Sequence, residues 1–259
     1  MRYYTKDWYE LMQNLHYVSG MTVVPDKEFT EEEIKAFYDA DLAEEIEHDR
    51  RFHEERGTVF DPTETIQCFE ECYQGVQKYC LNSYPEWARE YIDTRLAALN
   101  RVKESIYHRL KAEEDKNKAA FDKINAEAGA VLSQQNIPES VRSNFRFHDD
   151  DVLALKKRGR NAELYLGCGE VYPSGEYLYR KVIFKNVRFI DREKGLVFRK
   201  KRNEKGFWES NTSYLYGELY RTEYGYEVHM LLWSKKDLRY LTIGCGDIQF
   251  ENNIDLSTL

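Results

Sequence analysis

The chain contains no run of 18 apolar residues and therefore no candidate transmembrane helix. Its opening, MRYYTKDWYELMQ, has no apolar h-region, so no secretory signal is expected and the expected compartment is the cytoplasm. Cysteine is scarce. Five residues (Cys68, Cys72, Cys80, Cys168 and Cys245) are spread over 259, an odd number that fits reduced thiols and not a disulfide framework. The phosphate-cradling loops G-x-x-x-x-G-K-[ST] and G-x-G-x-x-G are absent, as are H-E-x-x-H and G-x-S-x-G. The common nucleotide-binding, zinc-protease and serine-hydrolase signatures are thereby excluded. No internal repeat occurs, and no stretch is rich enough in Pro, Gly or Ser to act as a flexible linker.

What is present is a soluble globular balance, 42% hydrophobic and 32% charged, in a chain long enough for a substantial core. The net charge of −8 is unevenly spread. Residues 1–145 carry 18 basic against 29 acidic side chains, a net of −11, whereas residues 146–259 carry 20 against 17, a net of +3. Phosphates are repelled at long range by the acidic front half, so nucleic acid is not an expected partner, and neither is a membrane. The asymmetry also marks two compositionally different units.

The front half has the period of helices. Thr5 caps a stretch with Trp8, Leu11, Met12 and Leu15 at helical spacing, stopped near Gly20. Thr30 and Glu33 form a capping-box pattern ahead of Ile34, Phe37, Tyr38 and Ile46, and Gly57 ends that run. Asp61-Pro62-Thr63-Glu64 opens a third helix with Ile66, Phe69, Tyr73 and Val76 on one stripe. A fourth, long helix is expected from Ser83-Tyr84-Pro85-Glu86 through Trp87, Tyr91, Leu99, Val102, Ile106 and Leu110. It thins towards Phe121, Ile124, Val131 and Leu132, with a break near Asn117.

The back half alternates as strands do. Val152–Leu155, Ala162–Leu166, Tyr177–Ile190, Leu196–Phe198, Tyr214–Thr222, Tyr226–Trp233 and Leu238–Ile243 are rich in β-branched and aromatic residues. Turn chemistry separates them at Arg158-Gly159-Arg160-Asn161, Pro173-Ser174-Gly175, Lys194-Gly195 and Tyr224-Gly225. A hairpin turning at Tyr224-Gly225 pairs Leu219 with Met230 and Tyr220 with His229, with Val228, Met230 and Leu232 on the core face. The expected fold is α+β: an N-terminal all-helical unit (1–144) followed by a C-terminal antiparallel β-sandwich or partial barrel (145–259).

Several constellations are candidates for chemistry. Glu218, Tyr220, Glu227 and His229 form a polar cluster on a sheet face, able to act as acid, base or ligand, although a solvated outer face needs the same residue types. His148-Asp149-Asp150-Asp151 resembles a metal or acid/base signature, but alternation lets at most His148 with Asp150, or Asp149 with Asp151, face the same way. His148 and Asp150 are therefore the metal candidates, while no metal site and no cofactor are expected. Cys68-x3-Cys72 with Cys80, His48 and His53 can be drawn as a zinc site. Its spacing is not a standard zinc pattern, however, and packed free thiols are the expected reading. Cys168 and Cys245 sit in the echoing LGCGE and IGCGD, read as strand ends with bulges or tight bends. Phe198–Trp208, FRKKRNEKGFW, is the one concentrated basic run.

The stretches MRYYTKDWYELMQ, FHDDDV, KVIFKNV, YGYEVHMLL and YLTIGCGDIQFE resemble, in the same order, an uncharacterised family of Firmicutes proteins, the domain-of-unknown-function family numbered 4085. The resemblance spans nearly the whole chain and implies an intracellular bacterial protein, with no catalytic residue to carry over. The leading expectation is a non-enzymatic binding or interaction protein with a protein or small-molecule partner, since 20 Tyr, 13 Phe and 4 Trp supply recognition surface as well as core. A metal-dependent hydrolase drawing on His148, Asp149, Asp151, Glu227 and His229 is the alternative, and RNA binding through Arg199–Arg202 is a third reading.

Overall fold

A computed structural model describes residues 1–171 and 176–256 of the chain. In order, the elements are α1 (Lys6–Gln13), β1 (Thr22–Val24), α2 (Glu31–Arg56), α3 (Pro62–Tyr79), α4 (Thr94–Ala97), β2 (Arg101–Lys103), α5 (Glu104–Ser133) and α6 (Glu139–Arg142). The strands β3 (Asp151–Arg158), β4 (Asn161–Val171), β5 (Glu176–Lys185), β6 (Phe189–Arg192) and β7 (Lys200–Arg202) come next. They are followed by β8 (Trp208–Ser210), β9 (Thr212–Thr222), β10 (Gly225–Ser234), β11 (Asp237–Cys245) and β12 (Asp247–Asn252). The fold is α+β, a helical region followed by an antiparallel sheet. Among the described residues no helix is long and apolar enough to cross a membrane.

The chain forms two compact units: Met12–Ala120, and Met1–Leu11 together with Phe121–Leu259. This division differs from the expected 144/145 boundary, because a change of period reports where helix becomes strand and not which core a helix face joins. The first eleven residues and the C-terminal part of α5 belong with the sheet.

In the unit Met12–Ala120 the local signals at the starts of α2 and α3 act as read. The Thr30 hydroxyl accepts from Glu33 N at 3.3 Å while Glu33 returns a bond to Thr30 N at 3.0 Å, and Gly57 closes α2 at φ 65°. Asp61 caps α3 by accepting from Thr63 N, with Pro62 at the first helical position. The α3 stripe is narrower than expected. Phe69 and Tyr73 pack beside a buried cluster of Val24, Phe29, Ile34, Leu96 and Leu99, whereas Ile66 and Val76 are 40% and 43% exposed. Thr65, Phe69 and Tyr73 recur every four residues, the ridge a helix presents to a single neighbour.

The expected fourth helix does not begin at Ser83. Pro85, the Asp93 cap and Asn100 at φ 53° divide residues 84–103 into a short 3₁₀ turn, α4 and β2, and β2 pairs in parallel with β1. The long helix is α5, and it runs without a break through Asn117, whose amide donates to the Asn14 carbonyl at 3.2 Å.

The other unit is built on an eight-stranded sheet in the order β12-β5-β4-β3-β9-β10-β11-β6. Only Asp151↔Ser213 pairs β3 with β9 in register, so two four-stranded halves meet at a narrow seam in an unclosed sheet. Both halves supply one core: Val152, Leu164, Leu166, Val182 and Phe184 from one side, and Leu219, Val228, Met230, Leu241 and Ile243 from the other. Expected strands become β3, β4, β9, β10 and β11, while the Tyr177–Ile190 run divides into β5 and β6 around Asn186 at φ 50°. No strand forms over Leu196–Phe198, and β12 was not anticipated. The expected turn Pro173-Ser174-Gly175 lies outside the described residues.

The outer face of β9, β10 and β11 is apolar too, with Leu215, Leu231 and Leu238 buried beneath Met1 and Tyr9. Trp8 of α1, 4% exposed, stacks on Phe121 at 5.4 Å, meets Tyr216 edge-on at 4.7 Å and donates its indole N–H to Asn125. The N-terminal segment and α1 thus cover a sheet face that alternation alone assigns to solvent.

Candidate functional site

The β9–β10 hairpin carries the sequence-derived polar cluster. Its register pairs Val228 with Leu219, Glu227 with Tyr220 and His229 with Glu218, two residues displaced from the expected pairing. The turn has two residues, as read, but lies one position earlier: Thr222 pairs with Gly225, and Glu223-Tyr224 are the turn residues. A shift of two preserves side-chain faces, so Leu219, Val228, Met230 and Leu232 all lie in the core as expected.

The structure brings the four polar residues together. Tyr220 donates its hydroxyl to Glu218 at 2.8 Å, His229 Nε2 lies 3.2 Å from Glu227, Tyr224 donates to the other Glu227 oxygen at 2.6 Å, and the Tyr220 and His229 rings meet edge-on at 5.2 Å. The cluster is not a solvated face, because Glu218 is fully buried and Tyr220 is 2% exposed. Sequence reasoning missed what covers it. The backbone amides of Arg2, Tyr3 and Tyr4 all donate to the Glu218 carboxylate at 2.7–2.8 Å, and the Arg2 guanidinium lies 4.2 Å over the Tyr220 ring. Burial works to raise the Glu218 carboxyl, but the three amides and the Tyr220 hydroxyl outweigh it and hold the group below the usual carboxylate range. Burial also lowers the His229 imidazole, against the opposing pull of Glu227, so the ring is neutral at pH 7. With Nε2–H on Glu227, the Nδ1 lone pair is buried and unpartnered. These groups answer one another and the N-terminal segment, and they line none of the clefts described below.

His148-Asp149-Asp150 is a turn closed by Asp150 N to the Phe147 carbonyl at 2.8 Å, with Asp149 at φ 65°, and the strand begins only at Asp151. The turn geometry separates the metal candidates. His148 is half exposed and donates Nδ1–H to the Leu215 carbonyl at 2.6 Å, while Asp150 is 8% exposed. Asp150 faces a group that sequence reasoning did not assemble. Arg180 Nε lies 2.7 Å from Cys168 Sγ and 3.6 Å from Asp150 Oδ2, and the latter has no hydrogen-bond partner. Burial pushes the Asp150 carboxyl up to about 6, against the pull of Arg180. Cys168 sits at a bulge beside Gly169 at φ 97°, and Leu166 pairs with Arg180, so the β4–β5 register was the signal that could have found this contact. Cys245 is instead fully buried in the core, where burial pushes its thiol up to about 12.

Beside the sheet, Leu132, Ser133, Ile137, Arg142, Phe145, Gly217 and Leu219 line a cleft of about 280 Å³. The lining residues are apolar apart from Ser133 and Arg142, and the Arg142 guanidinium donates to the Gln135 carbonyl at 3.3 Å. Gly217 is required here, since a Cβ would fall 1.8 Å from the Tyr214 hydroxyl. That hydroxyl is fully buried and has no hydrogen-bond partner. In the helical unit a groove of about 440 Å³ is lined by residues including Met21, Val76, Tyr79 and Tyr84.

The remaining candidates disperse or change character. Cys68 and Cys72 are exposed, contrary to packed thiols, while Cys80 is half-buried and His53 bonds Thr58 at 2.7 Å. Among the described residues, one trio of His, Cys, Asp or Glu brings its ligand atoms within 4.8 Å of one another: Glu45, His48 and Asp49. His148, Asp149, Asp151, Glu227 and His229 form no such group. The basic run forms much of the hairpin β7–β8, in which Lys200 and Arg202 lie 4.5 and 4.7 Å over the Trp208 ring and Lys201 faces Glu209 at 3.9 Å.

No protein-family model, no curated protein and no solved structure matches the chain.

Proposed function

We propose that this is a non-enzymatic intracellular binding protein and that its site is the cleft between Arg142, Phe145 and Gly217. One observation carries the reading: a largely apolar cleft also presents Ser133 and Arg142, whose guanidinium donates to the Gln135 carbonyl at 3.3 Å, and its Gly217 wall abuts the unpartnered Tyr214 hydroxyl. Such a lining favours a ligand with an apolar body and one anionic or acceptor group, because the guanidinium supplies a charge-assisted fork and the wall supplies burial. At about 280 Å³ the cleft holds roughly nine waters' worth of volume, which suits a small carboxylate better than a nucleotide. The acid and base candidates of the β9–β10 hairpin are occupied with structural partners, which supports binding over hydrolysis. The resemblance to the uncharacterised Firmicutes family brings no catalytic residue and accords with this reading.

Thermal-shift titrations of the full chain with medium-chain carboxylates and the matching alcohols test the proposal. A saturable rise in Tm for the acids, smaller for the alcohols and lost in Arg142→Ala, is the expected result. Equal shifts for acids and alcohols, or none for either, would overturn it.

A further inference from the structure

The hairpin β7–β8 sorts its side chains by charge. Across the ladder Lys200 pairs with Ser210, Lys201 with Glu209 and Arg202 with Trp208. Alternation therefore puts Lys200, Arg202 and Trp208 on one face, and Lys201 with Glu209 on the other. The first face is cationic around an indole, with the Lys200 ammonium 4.5 Å and the Arg202 guanidinium 4.7 Å from the Trp208 ring. A third cation comes from another strand. β8 packs against β3, and Lys156 of β3, whose ammonium lies 5.5 Å from the Tyr165 ring, is close enough for its charge to act on Lys200. The Trp208 amide donates to the Tyr179 hydroxyl at 2.7 Å, which ties the hairpin to β5.

This charge is not neutralised. Among the described residues Lys156, Lys200 and Arg202 form no ion pair, although their neighbours do: Lys201 faces Glu209 at 3.9 Å and Arg158 faces Glu163 at 3.8 Å. Glu163 lies across the ladder from Lys156, yet its carboxylate is turned to the Tyr165 hydroxyl at 2.5 Å. Burial, and then the charges of Lys156 and Arg202, push the Lys200 ammonium down. Three cations held together without a carboxylate repel one another, in a chain with 46 acidic side chains to draw on. An anion entering this face relieves that repulsion.

We propose that this face binds single-stranded nucleic acid, with backbone phosphates on Lys156, Lys200 and Arg202 and one base on Trp208. A guanidinium forks onto two phosphate oxygens, and ammonium groups add charge without fixing geometry. Cation–π contacts at exposed positions are weaker than charge-assisted hydrogen bonds, so Lys200 and Arg202 leave the ring for the phosphates. The indole uncovered in this way is a stacking platform, and aromatic platforms beside cations hold single strands with little sequence preference. The acidic excess that repels phosphate lies in residues 1–145, whereas residues 146–259, which hold this face, carry a net +3. None of these residues lines the Arg142 cleft. The face also differs from the run Arg199–Arg202 available from sequence: Lys201 belongs to the opposite side, and Lys156 enters from β3.

The probe is a labelled uridine hexamer, titrated with the full-length protein and followed by fluorescence anisotropy. Neutralising three phosphates should give an affinity that falls about 20-fold between roughly 50 and 200 mM salt, a log–log slope of about −2. Lys156→Ala and Arg202→Ala should each weaken binding and reduce the steepness of that slope by about 0.7, whereas Lys201→Ala on the opposite face should leave the slope unchanged. A second comparison needs no variant: a hexamer of the same backbone without bases cannot stack and should bind about tenfold more weakly. Hexamer binding that is absent or independent of salt would overturn the proposal. So would equal weakening by Lys156→Ala and Lys201→Ala, equal affinity for the baseless strand, or uridine monophosphate binding as tightly as the hexamer.

Discussion

Two buried carboxylates in one sheet unit are treated in opposite ways. Glu218 meets four donors and is held ionised, whereas Asp150 has an orphan oxygen and a guanidinium at 3.6 Å, too far for a hydrogen bond. For Asp150 the balance falls to desolvation, and its carboxyl rises from 3.8 to about 6. Between these values the folded chain holds a proton that the unfolded chain has released. Stability from this group is therefore fully present below about pH 4 and lost as the pH rises through about 6, a swing of about 3 kcal/mol. Asp150→Asn stays neutral throughout. Urea unfolding of both proteins from pH 4 to pH 7 should show the variant gaining relative to wild type by about that amount, and a flat difference would refute the assignment. The His-Asp-Asp-Asp run was visible in the sequence, but its asymmetry was not. A left-handed residue at Asp149 decides which carboxylate turns inward, and no local pattern announces it.

At the level of elements, the β9–β10 hairpin was legible in its faces and not in its pairing. Alternation placed Leu219 with Val228 and Met230, while the two-residue shift came from reading Tyr224-Gly225 as the turn where Glu223-Tyr224 forms it. Membership of the polar cluster was likewise legible, and its environment was not, because its cover lies more than 200 residues away in sequence. That cover hangs on Glu218. In Glu218→Gln one acceptor oxygen remains for the amides of Arg2, Tyr3 and Tyr4, and the new amide group points a donor at donors. The expected loss is about 2–4 kcal/mol by chemical denaturation, with hydrogen exchange at those three amides accelerating more than at β10. Equal acceleration at both places would mean that the segment is not attached there.

For the whole molecule, the α+β order was legible from period, and the α5 continuation was read as a helix. The composition of the two compact units was not legible, since Trp8 and Phe121 join the sheet through contacts that no window of sequence contains. One consequence is measurable. A polypeptide of residues 121–259 lacks the cover over Leu215, Leu231 and Leu238, and should bind the dye ANS strongly. A Met1–Gln13 peptide added in trans should suppress that signal saturably, and the same peptide with Trp8→Ala should do so poorly. Failure of the unmodified peptide to compete with the dye would place the exposed apolar surface elsewhere.

The clasp between Arg2–Tyr4 and Glu218 also imposes an order in time. Its partners are separated by 214–216 residues, so at translation rates of about 5–20 residues per second the opening segment waits roughly 10–40 s for its acceptor. The Arg2, Tyr3 and Tyr4 amides meet their acceptor only after Glu218 of β9 has been made. During that interval Tyr4 and Trp8 are held on the nascent chain without Tyr216, the β9 ring on which both pack.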